Sequence, residues 1–193
     1  MRSVCVFCGS SAGSNGLYAT AAQRLGRAIA TSGRTVVYGG GRVGLMGVLA
    51  DAALEAGGSV IGVIPASMVA KELAHPRLTE LHVVKSMHER KALMAERADA
   101  FVMMPGGYGT FEEFFEVLTW AQLGLHVKPR GALEVNGYFD GLFTFLEHSV
   151  REGFLQREAL DLIVRESDAT RLVERLAASH PPSVEKFLRA DET

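Results

Sequence analysis

The sequence predicts an α/β fold, an open parallel sheet in three layers with helices on both faces. Three observations lead there. Short apolar runs alternate with longer stretches of helical periodicity. Most of those runs are apolar at every position, as strands covered on both faces are. Glycine gathers just after the runs, at the carboxyl ends where such sheets bind ligands. It supplies 21 of 193 residues, a surplus over the average usage of about 7 %.

In chain order the strands are expected at SVCVFC (3–8), TVVYG (35–39), SVIGVI (59–64), LHVVK (81–85), AFVMM (100–104), GALEV (131–135) and DLIVR (161–165). The clearest helix is 111–124, where Phe111, Phe114, Phe115 and Leu118 fall on one face. Another follows at SMHERKALMAERAD (86–99), opened by a capping box between Ser86 and Glu89. On its wheel Glu89 and Glu96 share one side and Met87, Met94 and Ala98 the other. Arg90 falls on the inward flank beside Leu93, where a guanidinium needs an anion. Lys91 lies on the opposite margin, from which its stem can carry the ammonium to solvent. Residues 1–180 are expected to form one domain, and 181–193, after a double proline, a tail.

Charge is balanced, 20 Lys+Arg against 22 Asp+Glu for a net −2. Nucleic acid is therefore not an expected partner. No apolar stretch reaches the ~18 residues of a membrane span, and the N-terminus carries no signal-like run. Cys5 and Cys8 sit three apart on a strand, about 10 Å, too far for a disulfide, with no second pair for zinc. The six histidines show no HxxxH or HxH spacing, so no metal site is expected. A cytoplasmic protein is the consistent reading.

Three glycine turns follow strands: GSSAGSNG (9–16), GGGRVGLMG (39–47) and PGGYGT (105–110). Gly39, Gly41 and Gly44 satisfy GxGxxG, but after the second strand, and no acidic residue lies between Gly57 and Lys71 to hold a ribose. NAD is disfavoured on that ground. No GK[ST] follows any turn, which disfavours an ATP P-loop. What remains is a backbone cradle for phosphate, drawing on Ser10, Gly39, Gly40 and Gly44 with a helix N-terminus behind it. In PGGYGTFEE, Thr110 is expected to open a helix, and Thr110 with Glu113 can be a capping box. The alternative is chemical. Glu112 and Glu113, in the first turn beside the cradle, could stabilise a developing cation or position water. Residue types and spacing leave both open.

CVFCGSS (5–11), VYGGGRVGLMG (37–47), SMHERKALM (86–94), PGGYGTFEE (105–113) and TWAQLGLHVKP (119–129) together resemble the Lonely Guy family of phosphoribohydrolases, often labelled lysine decarboxylases. The resemblance runs in order from about residue 3 to about residue 150. It implies a Rossmann-like fold, a homodimer, no cofactor, and a small-molecule nucleotide as partner. The implied reaction is hydrolysis of the N-glycosidic bond of cytokinin riboside 5′-monophosphates, and of AMP in some members. Carried over by position, Arg90 and Glu113 are catalytic. Glu72, Lys91, Gly107, Tyr108, Gly109, Thr110, Glu112 and Thr119 contact substrate. The chain departs from the family after Pro129, reading PRGALEVNGYFDG where members often read PVGLLN. Two rivals remain open, a non-catalytic nucleotide or cofactor carrier and a general purine nucleoside monophosphate nucleosidase. A pyridoxal-dependent lysine decarboxylase is disfavoured by the few lysines, none in a recognisable pyridoxal-binding context.

Overall fold

A computed structural model of the chain describes residues 1–69, 71 and 73–181. Seven strands, β1 (Ser3–Phe7), β2 (Thr35–Tyr38), β3 (Val60–Pro65), β4 (Glu80–Val84), β5 (Ala100–Met103), β6 (Arg130–Leu133) and β7 (Ile163–Glu166), form one sheet. Its order is β4-β3-β2-β1-β5-β6-β7 and every pairing is parallel. The helices are α1 (Gly16–Thr31), α2 (Gly44–Glu55), α3 (Ala66–Val69), α4 (Met87–Arg97), α5 (Tyr108–Gln122), α6 (Asp140–Arg151), α7 (Arg157–Asp161) and α8 (Ala169–Ala178).

Alternation along the strands feeds two cores. Val4, Val6, Val36 and Tyr38 point to one face and pack with Leu25, Ile29, Leu49, Leu172 and Leu176 of α1, α2 and α8. Cys5, Phe7, Val37, Phe101 and Met103 point to the other, against Met94, Phe114, Val117, Phe143 and Leu146 of α4, α5 and α6. Three layers result, with helices on both faces.

The chain starts at the centre, runs outward from β1 to β4, and is then carried back by α4 to β5 on the other side of β1. The strand order therefore reverses between β1 and β5, and their carboxyl ends open onto the crevice where ligands of such sheets sit. The loops after these two strands are joined there, the Gly9 N–H donating to the Pro105 carbonyl at 3.1 Å.

Two strands differ from the fully apolar expectation. β4 is half exposed along its length and β7 partly so, because they are the sheet edges and have a neighbour on one side only. β7 also begins two residues later than expected, since Asp161 closes α7. The expected helix at 111–124 begins three residues earlier, at Tyr108. Beyond Pro181, the expected tail lies outside the described residues, and so does Glu72.

Candidate active site

Arg90 and Glu113 meet above the carboxyl ends of the inner strands. Ser86 caps α4, accepting the Glu89 N–H at 3.1 Å, and Glu89 answers by accepting the Lys85 N–H at 2.7 Å. This starts α4 in the register that turns Arg90 inward, where it is 7 % exposed. The guanidinium is then fully engaged. Nε donates to the Val63 carbonyl at 3.0 Å, Nη2 to the Gly39 carbonyl at 3.1 Å, and Nη1 to Glu113 Oε1 at 3.2 Å. Hydrogen bonds to a charged group contribute ~1.5–3 kcal/mol each, which is how a cation tolerates this burial. The anion that the inward position of Arg90 demanded is Glu113.

Glu113 is itself largely buried, its side chain 12 % exposed. Burial pushes its pKa above the ordinary carboxylate range; Arg90 and Lys91 pull the other way, and Glu112 and Glu116 add to the rise. The result is a desolvated carboxylate beside one fixed cation.

The capping-box reading of Thr110 and Glu113 fails. Gly107 is the N-cap of α5 and no side chain caps it. Thr110 is the third helical residue, buried, with its Oγ1 so close to Gly106 that a Cβ there would lie 2.1 Å away. Glu113 is the sixth helical residue, so it and Glu112 stand in the second turn, too far along to cap. The helix starts at Tyr108 with its first amides left without a side-chain acceptor, and Glu113 on its second turn meets Arg90.

Lys91 does not reach out to solvent as expected. Its ammonium is clasped by Glu112 and by Glu116 at 3.0 Å, with the side chain 12 % exposed. Desolvation lowers its pKa, but the hydrogen bonds and charges of the two carboxylates outweigh it and hold the amine above the ordinary lysine value. Consecutive cations on α4 thus meet three carboxylates on α5. Glu116 had a readable signal, since i+4 from Glu112 puts it on the same face.

The glycine turns converge, each glycine for its own steric reason. Gly44, at φ +60°, lets the start of α2 abut the first loop: a Cβ would meet the Ser10 carbonyl carbon at 2.3 Å, and the Leu45 N–H donates to the Gly9 carbonyl at 3.0 Å. Gly39 faces the guanidinium, and a Cβ would fall 1.7 Å from Arg90 Nη2. Gly40, at φ +72°, gives its carbonyl to the His75 N–H at 2.9 Å. Gly107 and Gly109 instead face open space. Beside them Tyr108 is 94 % exposed.

A cavity of about 290 Å³ lies where the first and third turns meet, lined by residues 9–13, Tyr18, Leu45, residues 105–107 and Tyr138. Ser10, Gly107 and the loop around them are brought together here. Arg90, Lys91 and Glu113 do not line it. Tyr138 was not foreseen, having no neighbouring motif: its hydroxyl donates to the Gly106 carbonyl and its ring meets Tyr18 edge-on at 5.7 Å. Thr119 is not brought to the pair. It lies two turns beyond Glu112, exposed, with its hydroxyl on the Phe115 carbonyl at 2.8 Å.

Cys5 and Cys8 are free and buried, and burial pushes both thiols well up. Among the described residues, no group of three or more His, Cys, Asp or Glu is placed to hold a metal ion, and no helix is long and apolar enough to cross a membrane.

Comparison with known proteins follows the same lines. A family model described as "Possible lysine decarboxylase" matches residues 46–176. A cytokinin riboside 5′-monophosphate phosphoribohydrolase of Rhodococcoides fascians is 58 % identical over 155 residues, 80 % of this chain and 78 % of that protein. A probable enzyme of the same name from Oryza sativa subsp. japonica is 50 % identical over 175 residues, covering 91 % and 77 %. One from Arabidopsis thaliana is 46 % identical over 180 residues, covering 93 % and 84 %. Among solved structures, the molybdenum cofactor carrier protein of Chlamydomonas reinhardtii is similar at a TM-score of 0.66 and 23 % identity, covering 92 % of this chain and 99 % of that one. The molybdenum cofactor binding protein of Rippkaea orientalis is similar at 0.69 and 21 %, covering 92 % and 96 %. At those identities the structural likeness speaks for the fold alone. The sequence relatives speak for more: the chain belongs to the family of the cytokinin riboside 5′-monophosphate phosphoribohydrolases.

Proposed function

We propose that the protein hydrolyses the N-glycosidic bond of cytokinin riboside 5′-monophosphates, and of AMP, to free base and ribose 5-phosphate. The observation that carries the reading is the buried Arg90–Glu113 pair beside an α5 N-terminus that no side chain caps. The 5′-phosphate is taken by the amides of that N-terminus, at Gly107, Tyr108, Gly109 and Thr110, with Ser10 and the Gly44 turn closing the cradle. Gly39 and Gly40 serve it indirectly, through Arg90 and the turn they form. Binding of the phosphate holds the sugar, and its energy is spent on orientation.

Departure of the base leaves an oxocarbenium-like ribose. Glu113 lies three residues beyond Thr110, about 4.5 Å further along the helix, and its carboxylate faces the developing charge. The C1′–N bond breaks, the oxygen of water bonds to C1′, and the proton that water sheds ends on the departing base. Arg90 keeps Glu113 ionised and aimed. Lys91 and Glu112, beside the pair, contact sugar and base; for Glu72 and Thr119 that role rests on the family resemblance alone, Thr119 lying two turns beyond Glu112. The catalytic unit is residues 1–180, and two buried free thiols suit a reducing cytoplasm.

Decarboxylation of lysine is the weaker reading. A Schiff-base lysine must give up its proton, whereas Lys91 is held as an ammonium by two carboxylates.

The test is Glu113→Gln, assayed for free base with AMP and with isopentenyladenosine monophosphate. Turnover is expected to fall at least about a hundredfold while AMP still binds within a few-fold of wild type, as for loss of a group acting mainly in the transition state. Turnover at the wild-type rate would remove Glu113 from the chemistry. Binding of AMP by wild type without release of base would favour the carrier.

A further inference from the structure

His75 has no part in the site so far, yet it is among the most buried polar groups of the molecule, its side chain 3 % exposed. It belongs to a short strap, residues 73–75, laid across the glycine turn after β2. Two backbone hydrogen bonds tie strap to turn, the Arg42 N–H donating to the Leu73 carbonyl at 2.9 Å and the His75 N–H to the Gly40 carbonyl at 2.9 Å. Gly41 and Ala74 form an isolated antiparallel bridge between them. From the other side, the Tyr38 hydroxyl donates to the Gly41 carbonyl at 3.1 Å.

The imidazole is fixed at both nitrogens. Nδ1 accepts the Arg77 N–H at 3.2 Å, so the proton of the neutral ring is on Nε2. Nε2 in turn lies 3.2 Å from Asp51 Oδ1, to which it donates. Asp51 stands on α2, the helix that begins where the glycine turn ends, and also receives Arg77 Nη2. The turn is therefore clamped twice, by the backbone of the strap and by an imidazole that ties the strap to the next helix. The first residue of that turn is Gly39, whose carbonyl accepts Arg90 Nη2 at 3.1 Å.

We propose that His75 is a positioning residue for the Arg90–Glu113 pair. Pinned to Asp51, it holds the strap against the glycine turn and so fixes the Gly39 carbonyl that orients the guanidinium. This rests on the phosphoribohydrolase reading for its catalytic consequence, and on hydrogen bonds alone for its structural one.

The test compares wild type with His75→Ala, His75→Gln and Asp51→Ala, measuring kcat and KM for base release from AMP and amide hydrogen exchange at residues 40–42. His75→Ala removes the pin. It should lower kcat about tenfold, because small misplacements of catalytic groups cost rate, with KM within about twofold and faster exchange across the turn. His75→Gln keeps an N–H donor directed at Asp51 and should recover most of kcat. A purely structural histidine would show neither the kcat-against-KM split nor rescue. Asp51→Ala removes the acceptor from the exposed end of the same link, so it should reproduce the His75→Ala effect and serves if that variant does not fold. The proposal is overturned if the folded pin-less variants keep kcat within twofold of wild type, if Gln restores nothing, or if exchange at 40–42 is unchanged. Absence of base release by wild type would sink the reaction instead, leaving the exchange rates to judge the pin.

Discussion

A glutamate above its ordinary pKa beside an arginine looks contradictory until the magnitudes are ordered. Desolvation is the largest influence on Glu113, Arg90 and Lys91 recover only part of it, and Glu112 and Glu116 add to the rise. The consequence for stability has a definite sign. A carboxyl whose folded pKa is raised binds its proton more tightly when folded, so its contribution to stability falls as pH rises from the ordinary value of 4.5 through the raised one. Activity runs the other way, because the carboxylate is the working form. The acid limb of kcat/KM should therefore lie above 4.5, and a pH–rate profile measures it. Lys91→Met should push that limb higher still, since Lys91 is one of the two cations lowering the pKa of Glu113 and its loss also frees Glu112 and Glu116 to raise it. A limb that stays put in this variant would mean that another group controls the profile.

At the scale of elements, the start of α5 decides what the site can hold. Its N-cap is a glycine without a side-chain acceptor, which leaves the first-turn amides for a ligand. Two glycine substitutions separate the structural and ligand-facing roles. Gly109 is helical and a Cβ there meets nothing within 4 Å, so Gly109→Ala should raise stability by ~0.5–1 kcal/mol. It should also weaken AMP binding, because the new methyl occupies the space a phosphate approaches. Gly39→Ala should do the reverse in stability, costing ~1–3 kcal/mol through overpacking against Arg90, and should abolish most turnover. Thermal melts and AMP titrations on the two variants decide this. An affinity unchanged in Gly109→Ala would move the phosphate elsewhere.

The whole molecule places these parts through one topological event, the return of the chain through α4 from β4 to β5. Arg90 rides on the helix that makes the crossing and Glu113 on the helix that follows, so the reversal itself brings the pair together. The opposite, carboxyl-terminal ends of α5 and α6 carry another feature, exposed Leu123, Leu125 and Phe154, the last 88 % exposed. Phe145 on α6 is exposed too; the family resemblance implies a homodimer, and these exposed apolar side chains are the candidates for burial in it. Sedimentation equilibrium should find a homodimer, and Leu125→Glu or Phe154→Glu should shift it to monomer. A wild-type monomer at micromolar concentration would remove the dimer from the reading.

The sequence by itself determined the strands, because all seven lie where apolar runs do, and it determined the fold class, because the turns between them leave room for little except helical crossovers. It also singled out Arg90 and Glu113, one as a cation on an inward helix flank and the other as one of two readings of a T-x-x-E spacing. That the spacing forms no capping box was a tertiary matter. Capping depends on where the backbone of α5 first closes a turn, and the helix follows Gly107, which leaves Thr110 as its third residue, buried close to Gly106. The partners of Lys91, the carbonyls on Arg90 and the pin at His75 come from residues 21 to 51 positions apart. No local pattern encodes such contacts. They exist because a sheet that reverses direction between β1 and β5 brings the ends of distant segments to one edge, where buried charges must find whatever partners that edge provides.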